Sequence, residues 1–304
     1  EALDALTDRH ISRYISESLD DFADKSPRFV YLFNRLSGSV RRIVADMAED
    51  LRDSAFQPLD FELDFSRLGD LASSPLPEGG SLTVTGIADR IDGWVKDGRL
   101  YLRVIDYKTG KRSFSLSDVW HGMNLQMLLY LFMLQKIGEK RYGFETVPAG
   151  VLYVPARDFI LSENTDMTDE RIAERRAANL RRSGLLLDDP DVIRAMEPGD
   201  APRRIPVKWK DGIPSGEALA SAEGLGRLSR HIGETLAALA REIGRGNIAA
   251  NPYYKNSQDN ACLYCEYAAA CRFADGEGGD RLRYLKKLEP TEVWALLEGD
   301  CPNG

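Results

Sequence analysis

Apolar residues recur at helical spacing near the start of the chain. Leu32, Leu36, Val40, Ile43, Val44, Met47 and Leu51 fall three or four apart with arginines and acids between them, which predicts an amphipathic helix whose stripe faces a core. Pro58 ends this helical segment. Phe61, Leu63 and Phe65 then alternate with Glu62 and Asp64, as in a strand. SSPLPEGG, residues 73–80, is a loop by composition. Residues 81–110 read as strands: Thr83, Val84, Thr85 and Ile87 mark the first, KDG at 96–98 is a hairpin turn, and LYLRVIDY at 100–107 is rich in β-branched and aromatic residues. One long apolar helix is predicted over 117–137, and GVLYVP at 150–155 forms a short strand. A polar helix over 169–183, an amphipathic one over 225–246 and a short last helix at TEVWALLEG complete the pattern.

The order helix, strands, helix, strand predicts an α/β domain with a mixed β-sheet flanked by helices. Three parts are expected: an N-terminal helical segment over 1–55, a core with helical insertions over 56–249, and a C-terminal cysteine-containing module over 250–304.

Composition narrows the picture. Of 304 residues, 43% are hydrophobic, enough for a substantial buried core. No apolar run approaches the roughly 18 residues needed to cross a bilayer. The opening EALDALTDRH is charged and lacks the apolar stretch of a secretory signal. It also lacks an initial methionine, so either a leader was removed or, as is expected here, the chain is a piece of a longer protein; that protein is expected to be cytoplasmic. A net charge of −8 argues against nucleic acid as a partner only weakly. Affinity for phosphate depends on where the basic groups sit, and a cluster of catalytic carboxylates lowers the total.

The four cysteines are Cys262, Cys265, Cys271 and Cys301, and none precedes them, which excludes a disulfide scaffold. The spacing C-x2-C-x5-C within CLYCEYAAAC suits three corners of a metal or iron–sulfur site. Zinc with an outside ligand, or three reduced thiols, would fit the same spacing. Tyr253, Tyr254 and Tyr264 nearby are expected to pack around the cysteine loop, with stacking on bases as the alternative role.

The chemistry of main interest lies in the strands. Asp89 on one strand and Asp106 near the end of the next can meet at one sheet edge, and Lys108, two residues beyond Asp106, points to the same face. Two hard oxygen donors suit Mg²⁺ or Mn²⁺, and a lysine beside them can orient water or offset developing charge on a phosphate. Glu62 on the preceding strand is a further candidate ligand. An Asp-x-Lys is often only solvated surface charge, but Asp106 and Lys108 interrupt a strongly apolar strand, where unpaired charge is costly. Asp92 reads as an arginine partner. Gln126 and Tyr130, four apart in an apolar helix, share a face, either as a core amide and tyrosine or as supports for a phosphate or a metal-bound water. His10 and His121 have no catalytic pattern around them.

Taken together, GIADRID (86–92), VIDYKTG (104–110), QMLLY (126–130) and the cysteine tail resemble the RecB-type branch of the PD-(D/E)xK nuclease superfamily. Within it the likeness is to the C-terminal nuclease domain of the AddB family, components of bacterial helicase–nucleases. PAGVLYVPARD (148–158) and GLLLDDPDVIRAM (184–196) extend it, so that it runs from about residue 40 to 290. The resemblance implies a restriction-endonuclease-like fold. It further implies Asp89, Asp106 and, more loosely, Glu62 as ligands of Mg²⁺ or Mn²⁺, Lys108 as the catalytic lysine, and Gln126 and Tyr130 on the helix lining the DNA side. It implies cleavage of single-stranded DNA, alongside an AddA-type helicase–nuclease subunit, during double-strand break repair. Cys262, Cys265 and Cys271 would hold a [4Fe–4S] cluster together with an upstream cysteine that this chain lacks. The family's histidine, on a helix ahead of the sheet, has no match here either and is expected upstream. A nuclease fold kept only for DNA binding or subunit docking, and a stand-alone RecB-like exonuclease, are the rival readings.

Overall fold

The computed structural model describes residues 2–75, 80–110, 113–156 and 168–299. Its first half runs α1 (Ala2–Leu19), α2 (Pro27–Asp53), β1 (Gln57–Asp64), β2 (Ser73–Pro75), β3 (Ser81–Thr83), β4 (Ile87–Lys96), β5 (Arg99–Lys108), α3 (Leu116–Trp120), α4 (Gln126–Tyr142) and β6 (Glu145–Pro155). After it come α5 (Asp169–Leu180), β7 (Ser183–Leu187), α6 (Pro190–Met196), β8 (Lys208–Lys210), β9 (Ile213–Ser215), β10 (Leu219–Ala220) and α7 (Ala222–Gly244). The chain closes with β11 (Tyr253–Asn256), β12 (Asp259–Asn260), α8 (Ala268–Cys271), β13 (Arg283–Tyr284) and α9 (Pro290–Glu298). The elements gather into two units, neither continuous in sequence. None of the described helices is long and apolar enough to cross a membrane.

The first unit comprises Glu1–Leu63, Ile87–Phe114 and Leu134–Ser221. It holds a six-stranded sheet in the order β1-β4-β5-β6-β7-β10. Antiparallel β4–β5 and β6–β7 pairs alternate with parallel β5–β6 and β7–β10 pairs, so the sheet is mixed as expected. The β4–β5 hairpin forms where KDG predicts it, because Asp97 and Gly98 both take the positive φ that a tight hairpin turn requires. GVLYVP is part of a longer strand, since β6 begins at Glu145 and pairs with β5 along its length.

Two expectations in this unit fail. The alternation predicted for β1 breaks at Glu62, whose φ of 50° turns the strand and leaves Phe61 and Glu62 exposed while Leu63 is buried. The apolar stripe of α2 is not the main buried face either. Leu32, Leu36 and Val40 are exposed, and it is Asp50 that is buried. α2 turns its acids inward because four arginines wait there, as described below.

The second unit comprises Asp64–Gly86, Ser115–Met133 and Ala222–Gly304. In it β2 and β3 pair across SSPLPEGG, of which residues 76–79 lie outside the described set. The single helix predicted over 117–137 is two helices, α3 and α4. Between them Asn124 takes a φ of 54°. The break is held by Asp118, whose backbone carbonyl accepts from Met123 N–H at 2.8 Å and whose carboxylate accepts from Asn124 Nδ2 at 2.9 Å. α7 and α9 pack on this unit through faces that include Leu225, Leu228, Ile232 and Val293, and β12-β11-β13 form a small sheet beside the cysteines.

Candidate active site

The central hairpin presents different chemistry on its two faces. The β4–β5 ladder ends at Arg90↔Ile105, so the next residues along, Asp89 and Asp106, come opposite each other on one face. Lys108 shares that face, with Nζ 2.5 Å from Asp106 Oδ2 and 5.6 Å from the ring centre of Tyr153. Asp106 is nearly buried and Lys108 is partly open to solvent. Asp89 is half-buried, and its Oδ2 accepts the backbone N–H of Tyr107 at 2.7 Å. Two carboxylates and one ammonium thus stand together at the end of two strands.

Arg90, Asp92, Arg103 and Tyr107 point to the opposite face by strand alternation. Asp92 Oδ2 accepts from Arg90 Nη2 at 3.0 Å and from Arg103 Nε at 2.9 Å. Arg90 Nη1 donates to the Tyr107 hydroxyl at 2.6 Å. Asp50 of α2 lies 3.2 Å from Arg182 and 3.8 and 3.9 Å from Arg90 and Arg103. Arg204 continues the lattice to Asp46, Glu49 and Asp53. Burial works against the charge on Arg90, but Asp92, then Tyr107 and Asp50, outweigh it and raise its pKa. Burial raises the Tyr107 phenol above its ordinary value, with Arg90 acting against the rise. Asp92 is therefore an arginine partner, as its sequence context suggested. Arg90, Arg103 and Tyr107 went unnoticed in the sequence. The signal was present as one arginine inside each of two apolar strands, Arg90 and Arg103, where buried acids make them tolerable.

The remaining candidates are placed as follows. Gln126 and Tyr130, in the second unit, share a helix face: Gln126 Nε2 donates to Tyr130 Oη at 3.0 Å. Gln126 is exposed, whereas the Tyr130 ring is buried and stacked on Phe65 at 4.4 Å between centres. Gly86 makes room for that tyrosine, since a Cβ there would lie 2.2 Å from Tyr130 Oη. Glu62 lies on β1, the neighbour of β4, and is exposed. Among the described residues no three His, Cys, Asp or Glu side chains converge to hold one ion, so Glu62 does not join Asp89 and Asp106. That pair still suits Mg²⁺, which takes one or two protein carboxylates and fills its other positions with water and phosphate oxygens.

Cys262, Cys265 and Cys271 are free and exposed, and Cys301 lies outside the described residues. Among the described residues these three thiols do not gather into a ready-made ion site, and a [4Fe–4S] cluster takes four ligands. Tyr253 bonds Asp259 and Tyr254 packs edge-on against Tyr284, so both have structural partners. Tyr264, 90% exposed, does not pack around the loop as expected.

This geometry agrees with what the chain resembles. A family model described as the PD-(D/E)XK nuclease superfamily matches residues 1–272. The chain is 32% identical over 307 residues to the AddB-type ATP-dependent helicase/deoxyribonuclease subunit of Clostridium acetobutylicum, covering 98% of the chain and 26% of that protein. It is 36% identical over 308 residues to the protein of the same name from Desulforudis audaxviator, covering 97% and 26%. With that of Acetivibrio thermocellus it shares 32% over 300 residues, covering 94% and 26%. The chain spans about a quarter of the length of these curated relatives. On these grounds, and with its paired aspartates and lysine set at the end of a mixed sheet, the chain belongs to the PD-(D/E)XK nuclease superfamily.

Proposed function

We propose that this chain is the nuclease domain of a helicase–nuclease of the AddAB type and hydrolyses phosphodiester bonds in single-stranded DNA as an exonuclease. In this reading it works in the cytoplasm with an AddA-type partner, during double-strand break repair. The observation that carries the reading is the cluster of Asp89, Asp106 and Lys108, three charged groups on one face at the end of β4 and β5. What speaks for chemistry over a docking scaffold is that this pair, unlike the Asp92–Arg103 pair, sits beside a second carboxylate and is partly open to solvent.

Asp89 and Asp106 would hold the divalent cation, Mg²⁺ or Mn²⁺, which supplies positive charge next to the scissile phosphate and makes a bound water easier to deprotonate. The Tyr107 N–H engages Asp89 Oδ2, so Oδ1 would be the oxygen that Asp89 offers the cation. Lys108 offsets the charge of Asp106 and, being partly open to solvent, offers an N–H donor to a phosphate oxygen or to the attacking water. Gln126, exposed and oriented by Tyr130, would bind the DNA backbone. Glu62 is outside the inner ligand set. The three thiols of CLYCEYAAAC would hold three corners of a [4Fe–4S] cluster in the full-length protein, with the fourth ligand drawn from elsewhere.

The test is cleavage of end-labelled single-stranded DNA by the full-length protein together with its AddA-type partner, with Mg²⁺ or with EDTA. Loss of cleavage in EDTA and in Asp106→Ala is the expected result. Parent-like cleavage by both Asp106→Ala and Lys108→Ala would remove the mechanism and leave the docking role. Iron and sulfide analysis of anaerobically purified protein should find about four irons per chain; an iron-free, zinc-loaded protein would refute the cluster.

A further inference from the structure

The side chains of Tyr107 and Arg90 take no part in the chemistry proposed above, yet these residues join the carboxylate face of the sheet to its buried charges. The β4–β5 ladder runs from Lys96↔Arg99 to Arg90↔Ile105, and Asp89 lies just past its end. What ties Asp89 to β5 is Tyr107, whose backbone N–H donates to Asp89 Oδ2 at 2.7 Å. The same residue grips the next residue of β4 from the other face, because its hydroxyl accepts from Arg90 Nη1 at 2.6 Å.

Neither end of this link is free to swing. Arg90 is 1% exposed, with Nη2 3.0 Å from Asp92 Oδ2 and Nε 2.8 Å from Oδ1. Asp92 is itself fixed by Arg103. On the other side, β5 is keyed to β6 as far as Lys108↔Pro155, which holds the backbone of Tyr107 in place. The Tyr107 side chain points away from the carboxylates, so any effect it has on them runs through the backbone.

We infer that Tyr107 and Arg90 are positioning residues: their hydrogen bond sets where Asp89 stands relative to Asp106, and so how tightly the pair binds a divalent cation. The inference rests on the nuclease reading, because it requires Asp89 and Asp106 to be ligands. Groups that orient a metal ligand typically change affinity by about tenfold or more when removed. Tyr107→Phe deletes only the hydroxyl and keeps both the ring and the backbone N–H.

The experiment is Mn²⁺ titration by calorimetry on the purified protein, with thermal unfolding of every variant. Tyr107→Phe should weaken Mn²⁺ binding roughly tenfold while unfolding close to the parent temperature, and Arg90→Lys should act in the same direction. Arg182→Lys disturbs the same buried lattice at Asp46 and Asp50 without touching Tyr107. It should lower the unfolding temperature and leave Mn²⁺ affinity unchanged. Parent-like binding by Tyr107→Phe overturns the inference, and so does an equal loss in Arg182→Lys, which would make the effect one of general stability. Asp106→Ala tests the reading underneath: if it binds Mn²⁺ like the parent, the ligand assignment fails whatever Tyr107 does. A parent that binds no Mn²⁺ overturns both.

Discussion

Asp92 and Arg103 stand opposite each other across β4 and β5 and share a 2.9 Å bond that solvent does not reach, with the aspartate 0% and the arginine 1% exposed. Arg90 closes on the same carboxylate, so one aspartate bonds two buried guanidinium groups, with Asp50 as the next nearest acid to both. Removing it strands both charges in the interior. Asp92→Ala should therefore cost about 3–5 kcal/mol of stability. The exposed Arg99–Glu145 pair provides the contrast, and Arg99→Ala should cost no more than about 1 kcal/mol. Urea unfolding of the two variants measures the difference; equal shifts would mean that the lattice does not stabilise this fold.

Cleavage should separate the two roles on the carboxylate face. If Asp106 is the ligand proposed, Asp106→Asn should lower the rate at every Mg²⁺ concentration. Lys108→Ala leaves the ligands intact and should lower the maximal rate by about 10²–10³, with a nearly unchanged Mg²⁺ midpoint. A Lys108→Ala variant rescued fully by raised Mg²⁺ would show that the lysine serves only to balance charge.

Gly86 and Tyr130 make a steric prediction within the second unit. Gly86→Ala places a methyl 2.2 Å from the tyrosine oxygen at a φ of +121°, a region that side chains rarely adopt. Strain and overpacking together should cost roughly 2–4 kcal/mol. Tyr130→Phe in the same chain removes the nearest clashing atom and should recover part of that loss. Thermal unfolding of the single and double variants reads the coupling, and strict additivity would contradict the contact.

Alkaline pH should destabilise the protein through Tyr142. Burial, helped by its bond to Asp60 Oδ2 at 2.6 Å, raises this phenol well above its ordinary 10.0. The folded state holds the proton more tightly than the unfolded state does. The contribution is complete below pH 10 and is lost as pH rises from there through the folded value. Unfolding temperature measured from about pH 8 upward should fall more steeply above pH 10 in the parent than in Tyr142→Phe, and identical slopes would refute the assignment.

Much of the site was legible along the chain because its signals are local. A two-residue period carries Asp89, Asp106 and Lys108 to one face once the KDG turn joins their strands, and nothing distant can change that parity. Gln126 and Tyr130 share a face for the same kind of reason, four residues apart on a helix. Glu62 does stand on β1, the neighbour of β4, but its left-handed backbone breaks the alternation read for that strand.

Short-range patterns were thus enough for the α/β class, the central hairpin, the carboxylate–lysine cluster and the cysteine spacing, all of which follow from periodicity and turn chemistry. Long-range packing settled the rest: that α2 turns Asp46 and Asp50 inward, that Tyr107 links Asp89 to Arg90, and that residues 117–137 are two helices. Hydropathy along α2 favours its leucine stripe as the buried face. The buried arginines of distant strands reverse that choice, because guanidinium groups out of reach of water must meet carboxylates wherever the fold can supply them.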